Sequence, residues 1–170
     1  MTDARWLSKT EMDAWMSYVA ATHLLERRVE EQLKASGLTH AQYEILAKLS
    51  ASAGRRLRMT ELARQVVVSK SGLTYQIGQL EKRGLVERTT YPSDDRGVLA
   101  VLTEEGVRCL ERTAPGHVAV VRAFLIDRLT PDELRTMTRI MTKAAEAMTS
   151  AAGSRFGTPS PEPSPLTWGG

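Results

Sequence analysis

At Gly84 the hydrophobic period of this chain changes from 3.6 residues to 2, and that switch limits the folds open to it more than any other feature. Before the switch, Leu73, Ile77 and Leu80 are spaced four and three on a helix predicted from Lys70 to Arg83. Ser69 is a good N-cap for it, and Gly84 sits where a left-handed C-terminal cap is wanted. Lys82 and Arg83, in its last turn, suit the negative end of the helix dipole. After the switch, residues 85–90 and 98–102 alternate as two short strands, joined by a turn-rich loop over 91–97.

Thr60 opens a short helix over 60–67, so the order is helix, turn, helix, hairpin. A hairpin directly behind a helix-turn-helix is the wing of a winged helix. The chain on either side is helical. Ser8 with Glu11 has capping-box spacing, and Met12, Trp15, Met16, Val19, Leu25, Val29 and Leu33 form a stripe that ends at Gly37. Thr39 with Gln42 repeats the signature ahead of Tyr43, Ile45, Leu46 and Leu49, on a helix that stops before Gly54. From Thr103 to Arg128, Val107, Leu110, Ala114, Val118, Val121 and Leu125 share one stripe, which Pro115 is expected to kink or to divide in two. Thr130, Pro131 and Glu133 combine an N-cap, a first-turn proline and a capping-box carboxylate. Leu134, Met137, Met141, Ala144 and Met148 then alternate three and four, a spacing shared by coiled-coil seams and ordinary core packing.

The expected fold is mainly α with a small β-wing. A winged helix-turn-helix over 57–104 is flanked by N- and C-terminal dimerisation helices at 8–36 and 104–152, within one domain at 8–152. Residues 153–170 hold four of the seven prolines and no apolar period, and are expected to be a disordered Pro/Gly-rich tail. No segment is apolar enough for a membrane helix and the first residues lack a secretion pattern, so the chain is expected in the cytoplasm. Cys109 is the only cysteine, which rules out an internal disulfide and a Cys-x-x-Cys metal site.

The formal charge of +3 is unevenly placed. Residues 55–96 hold nine basic residues (Arg55, Arg56, Arg58, Arg64, Lys70, Lys82, Arg83, Arg88, Arg96) against five acidic ones (Glu61, Glu81, Glu87, Asp94, Asp95), a surplus of four. Such an excess suits phosphate neutralisation, although charge runs also occur on plain solvated faces. With Leu73, Ile77 and Leu80 turned inward, the second helix of the pair presents Ser71, Gly72, Tyr75 and Gln79 outward, flanked by Lys70, Thr74 and Gln76. Ser69, Lys70 and Ser71 lie at its N-terminus, where backbone N–H groups favour a phosphate. Gln76 or Gln79 can pair with adenine, and Tyr75 can touch a phosphate or a thymine methyl. At the hairpin tip, Arg96 suits a minor groove with Asp94 holding its guanidinium; the alternative is a surface ion pair of little worth.

At this point the chain resembles a known family. Asp94-Asp95-Arg96-Gly97-Val98-Leu99-Ala100-Val101-Leu102-Thr103 is similar to the wing signature of MarR-type (multiple antibiotic resistance) regulators. Thr60-Glu61-Leu62-Ala63, Val68-Ser69-Lys70-Ser71 and Leu80-Glu81-Lys82-Arg83-Gly84-Leu85-Val86 match its helix-turn-helix in order and spacing, within a resemblance over residues 10–150. The resemblance implies a six-helix winged protein, dimerised by its terminal helices, that represses transcription and often releases DNA on a small aromatic or oxidising signal. Gly72 and Tyr75 depart from the bulkier, more often basic residues common there, which bears on the operator and not on the mode of binding.

Dimerisation also follows from DNA geometry. Two copies on a twofold axis read a palindrome with half-sites about 34–36 Å apart, whereas one wing and one helix make too few contacts for tight specific binding. A C2 homodimer on double-stranded DNA is therefore expected. Trp15, Met16, His23, Tyr43 and Met59 are either core or the lining of a pocket for a small aromatic effector. Cys109 has only Arg108 and Arg112 nearby to activate it and reads as a buried thiol rather than a redox sensor. His23, His40 and His117 lack ligand spacing, so no metal and no cofactor is expected. The chain carries no Gly-rich phosphate loop, no Gly-x-Ser-x-Gly and no His-Glu-x-x-His, which speaks against an enzyme. The remaining rival is a winged helix used for protein contact without sequence-specific DNA binding, which would expose aliphatic residues on the outward face.

Overall fold

The computed structural model describes residues 4–66, 70–91 and 94–151, with side chains at all of these except 70, 91, 94–96 and 149–151. In chain order come α1 (Lys9–Lys34), α2 (His40–Ala51), β1 (Arg56–Arg58), α3 (Met59–Gln65), α4 (Lys70–Lys82), β2 (Val86–Tyr91), β3 (Asp94–Leu102), α5 (Glu104–Phe124) and α6 (Pro131–Ala151). The strands form an antiparallel sheet in the order β1-β3-β2. No described helix is long and apolar enough to cross a membrane.

The caps are those the sequence calls for. Ser8 and Glu11, Thr39 and Gln42, and Thr130 and Glu133 each exchange backbone and side-chain hydrogen bonds across the first turn of α1, α2 and α6. These bonds hold the Glu11 and Glu133 carboxyls below the usual carboxylate range, the backbone N–H contributing most in each case. At the other ends, Gly37 (φ 64°) and Gly84 (φ 68°) take the left-handed conformation. Leu38 N–H donates to the Leu33 carbonyl at 3.1 Å and Leu85 N–H to the Leu80 carbonyl at 3.0 Å. Both are Schellman ends, and each seats a buried leucine pair, Leu38 with Leu33 and Leu85 with Leu80.

Four features differ from expectation. The sheet gains a third strand, β1, whose Leu57 pairs with Ala100; a three-residue Arg-Leu-Arg run is too short and too charged to display a period. The hairpin is longer than its turn-rich composition suggests, since β2 reaches Tyr91 and β3 starts at Asp94, with a register shift after Thr90. Cross-strand pairing there overrides local turn propensity. Of the two outcomes expected at Pro115, division does not occur, since α5 continues through it to Phe124. Proline removes one donor, the partner of the Glu111 carbonyl, and both residues lie on the exposed face where solvent serves that carbonyl. The end of α3 also comes early, with Val66 in extended backbone at its C-cap. The expected tail at 153–170 lies outside the described residues.

Packing divides the chain. Leu33, Ile45, Leu46, Leu49, Leu62, Leu73, Ile77, Leu80 and Leu110 are fully enclosed in one cluster, built from the last third of α1, α2, α3, α4, the strands and the first half of α5. Cys109 is buried in it. Thr103 welds this lobe to α5: its hydroxyl donates to the Gly84 carbonyl at 2.6 Å and accepts from Gly106 N–H at 3.0 Å, while its N–H donates to the Leu85 carbonyl at 3.1 Å. Beyond the lobe, Met12, Trp15, Met16, Tyr18 and Leu24 on α1, Val118 and Phe124 on α5, and Ile140, Met141 and Met148 on α6 are exposed. Since each is about half exposed, enclosing the rest of one such side chain would gain about 1 kcal/mol.

Candidate nucleic-acid interface

The face of α4 opposite Leu73, Ile77 and Leu80 is its solvent face. Ser71, Thr74 and Tyr75 are exposed there, Tyr75 to 63% of its surface, while Gly72 and Gln79 are half-buried at the margins. Ser71, Gly72 and Thr74 each have interactions within the chain. Gly78 lies one turn beyond Thr74 and two beyond Ser71, and a Cβ placed on it meets nothing within 4 Å. Its one mark in the sequence is that it is a second glycine inside the helix.

Gln76 turns the other way. It is half-buried, and its carbonyl accepts from Gln42 Nε2 at 3.0 Å. Gln42 is 7% exposed, and its own carbonyl accepts from Thr39 N–H at 3.2 Å, so one side chain caps α2 and braces α4. Ser69 and the side chains of Lys70, Asp94 and Arg96 lie outside the described residues, although the backbone of Lys70 opens α4 and that of Asp94 and Arg96 belongs to β3.

The last turn of α4 is held on two sides. Glu81 accepts from Arg88 N–H at 3.1 Å and pairs with the Arg88 guanidinium at 2.5 Å, fastening β2 to the helix and raising the Arg88 pKa further above its already high ordinary value. Arg83 donates to the Gly37 carbonyl at 2.6 Å and the Ser36 carbonyl at 3.1 Å. Arg64 pairs with Glu61, and Arg55 with Glu104 at 2.8 Å. Among the described residues, Arg55, Arg58, Arg64, Arg83 and Arg88 all have interactions inside the chain, so these basic side chains also serve the fold.

The residues predicted to line an effector pocket fall into two groups. Tyr43 and Met59 belong to or pack on the core cluster, whereas Trp15, Met16 and His23 are exposed on α1. Tyr43 lies against His117 with ring centroids 4.4 Å apart, and Trp15 against Tyr18 at 6.0 Å. Burial raises the Tyr43 pKa; burial first, then the nearby His40, lowers that of His117. His117 Nδ1 and Gln32 Oε1 are buried without a hydrogen-bond partner. Among the described residues, no cluster of three or more His, Cys, Asp or Glu side chains could hold a metal ion.

Comparisons with known proteins agree with this geometry. The MarR family model matches residues 38–98. The crystal structure of Sco3205, a MarR family transcriptional regulator from Streptomyces coelicolor, in complex with DNA superposes with a TM-score of 0.85 at 43% identity, covering 89% of this chain and 99% of that one. The multiple antibiotic resistance protein MarR of Escherichia coli (strain K12) is 30% identical over 69% of this chain and 81% of its own length. The HTH-type transcriptional repressor MdtR of Bacillus subtilis is 29% identical over 79% and 85%. The chain therefore belongs to the MarR family: it is a winged helix-turn-helix transcriptional regulator that binds DNA, and not an enzyme.

Proposed function

We propose that the protein is a cytoplasmic repressor that binds a palindromic operator as a C2 homodimer and is released by a small-molecule signal. The observation that carries the dimer is the division of packing: a closed lobe presents a polar helix face, while α1, α5 and α6 leave apolar stripes bare. The working division is a domain at 8–152, with reading by 57–104 and dimerisation by 8–36 and 104–152. MdtR, a named repressor, supports the sign of regulation. In this reading Ser69, Lys70, Ser71, Gly72, Thr74, Tyr75 and Gln79 face the major groove, Arg96 with Asp94 the minor groove, and Gln76 supports α4 through Gln42. The effector is a small aromatic molecule held near Tyr43 and Met59, with Trp15, Met16 and His23 joining once a second copy is in place.

Sedimentation and gel shift with the DNA upstream of the protein's own gene test this. The expected results are a dimer and a salt-dependent shift that Arg96→Ala weakens by about 1–3 kcal/mol. A monomer, or a shift indifferent to salt, overturns it.

A further inference from the structure

We propose that Arg83 is a positioning residue for operator binding, setting the distance and angle between the two reading helices of a dimer; this rests on the dimer reading above. The packing of Leu73, Ile77 and Leu80 that holds α4 in the lobe is non-directional, and directional contacts come from Gln76 with Gln42, Glu81 with Arg88, and Arg83. The Arg83 clasp is directional. Nη1 and Nη2 reach two successive carbonyls, those of Gly37 and Ser36, at 2.6 and 3.1 Å, and a planar fork with two acceptors fixes orientation as well as separation.

The gripped turn is itself tied to the other helix system. It closes α1, where the dipole favours a cation. The Ser36 hydroxyl accepts from Thr113 Oγ1 of α5 at 2.9 Å, and Thr113 is 1% exposed. The left-handed Gly37 brings the turn so close that a Cβ on it would stand 3.6 Å from Arg83 Nη2. One turn therefore joins the end of the reading helix to both α1 and α5, two of the helices whose exposed stripes a second copy would cover. Inserting one base pair between half-sites displaces one reading helix by about 3.4 Å and turns it by about 35°, so a rigid link should discriminate spacing strongly.

The test uses the full chain and a duplex selected from a random library with the wild-type protein, together with versions carrying one base pair more or fewer at the centre. Wild type should lose about tenfold or more in affinity off its preferred spacing. Arg83→Ala should remain dimeric, lose most of that discrimination and keep the wild-type salt slope. Arg83→Lys keeps the charge but cannot span both carbonyls; it should fold if the alanine variant does not, and should show partial loss. A salt slope lowered by about one per protomer would make Arg83 a phosphate contact and overturn the proposal. Equal loss at every spacing would reduce it to a stabilising residue. A wild-type protein that is monomeric or indifferent to spacing removes the dimer reading and this proposal with it.

Discussion

Gly106 of α5 sits directly against the Leu85 carbonyl: a Cβ added to it would meet that oxygen at 2.2 Å and the Leu102 side chain at 2.6 Å. The carbonyl cannot retreat cheaply, because it accepts from Thr103 N–H and belongs to the chain between the Schellman end of α4 and β2. Gly106→Ala should therefore destabilise the fold by about 1–3 kcal/mol, read by denaturant unfolding. An unchanged midpoint would show that this approach is looser than described.

Gly78 gives the opposite expectation. With open space where its Cβ would be, Gly78→Ala should stabilise the protein by about 0.5–1 kcal/mol through helix propensity. On the proposed reading face the same methyl would stand between α4 and the groove, so operator affinity should fall while the melting temperature rises. A variant that is more stable and binds as well as wild type would move the interface off this part of the helix.

Tyr75 and Gln76 are neighbours with separable roles. Tyr75→Ala should cost about 1–3 kcal/mol of specific binding, seen by fluorescence anisotropy, with little effect on stability since the ring is exposed. Gln76→Ala removes the acceptor for the nearly buried Gln42 amide and should lower stability by about 1 kcal/mol, leaving base preference as it was. Should selection with the Gln76 variant return a different operator, the side chain reads bases after all.

His117 makes a prediction about pH. Burial and then His40 depress its pKa in the folded state below the ordinary value of 6.5, so the unfolded chain binds the proton more readily. The stability contributed by the neutral ring is complete above that ordinary value and is lost progressively as pH falls toward the depressed one. Between about pH 7.5 and about pH 5.5, wild type should lose more stability than His117→Phe, which keeps the ring stack on Tyr43 without titrating. Parallel losses in the two proteins would contradict a buried neutral histidine.

The elements that local chemistry dictates were legible in the sequence. Ser8, Thr39, Thr130, Gly37 and Gly84 mark their helix ends through bonds made within a few residues, and the inward positions Leu73, Ile77 and Leu80 follow from spacing alone. What stayed hidden depends on contacts distant in sequence. Arg56–Arg58 is a strand only because β3 pairs with it. The bond from Gln42 to Gln76 joins two helices 34 residues apart, and no local spacing signals it. Arg83 and Arg88 find their acceptors, Gly37 and Glu81, through tertiary contacts that a count of charges does not contain.

The shared hydroxyl of Thr103 has a mechanical consequence. It is acceptor for the opening turn of α5 and donor to the closing turn of α4, so one side chain links the two helix ends. With Glu81 fastening β2 to the same turn, α4, the base of the hairpin and the head of α5 meet around one short stretch of chain. On the proposed reading, a displacement at the head of α5 would be passed to α4 through that one hydroxyl.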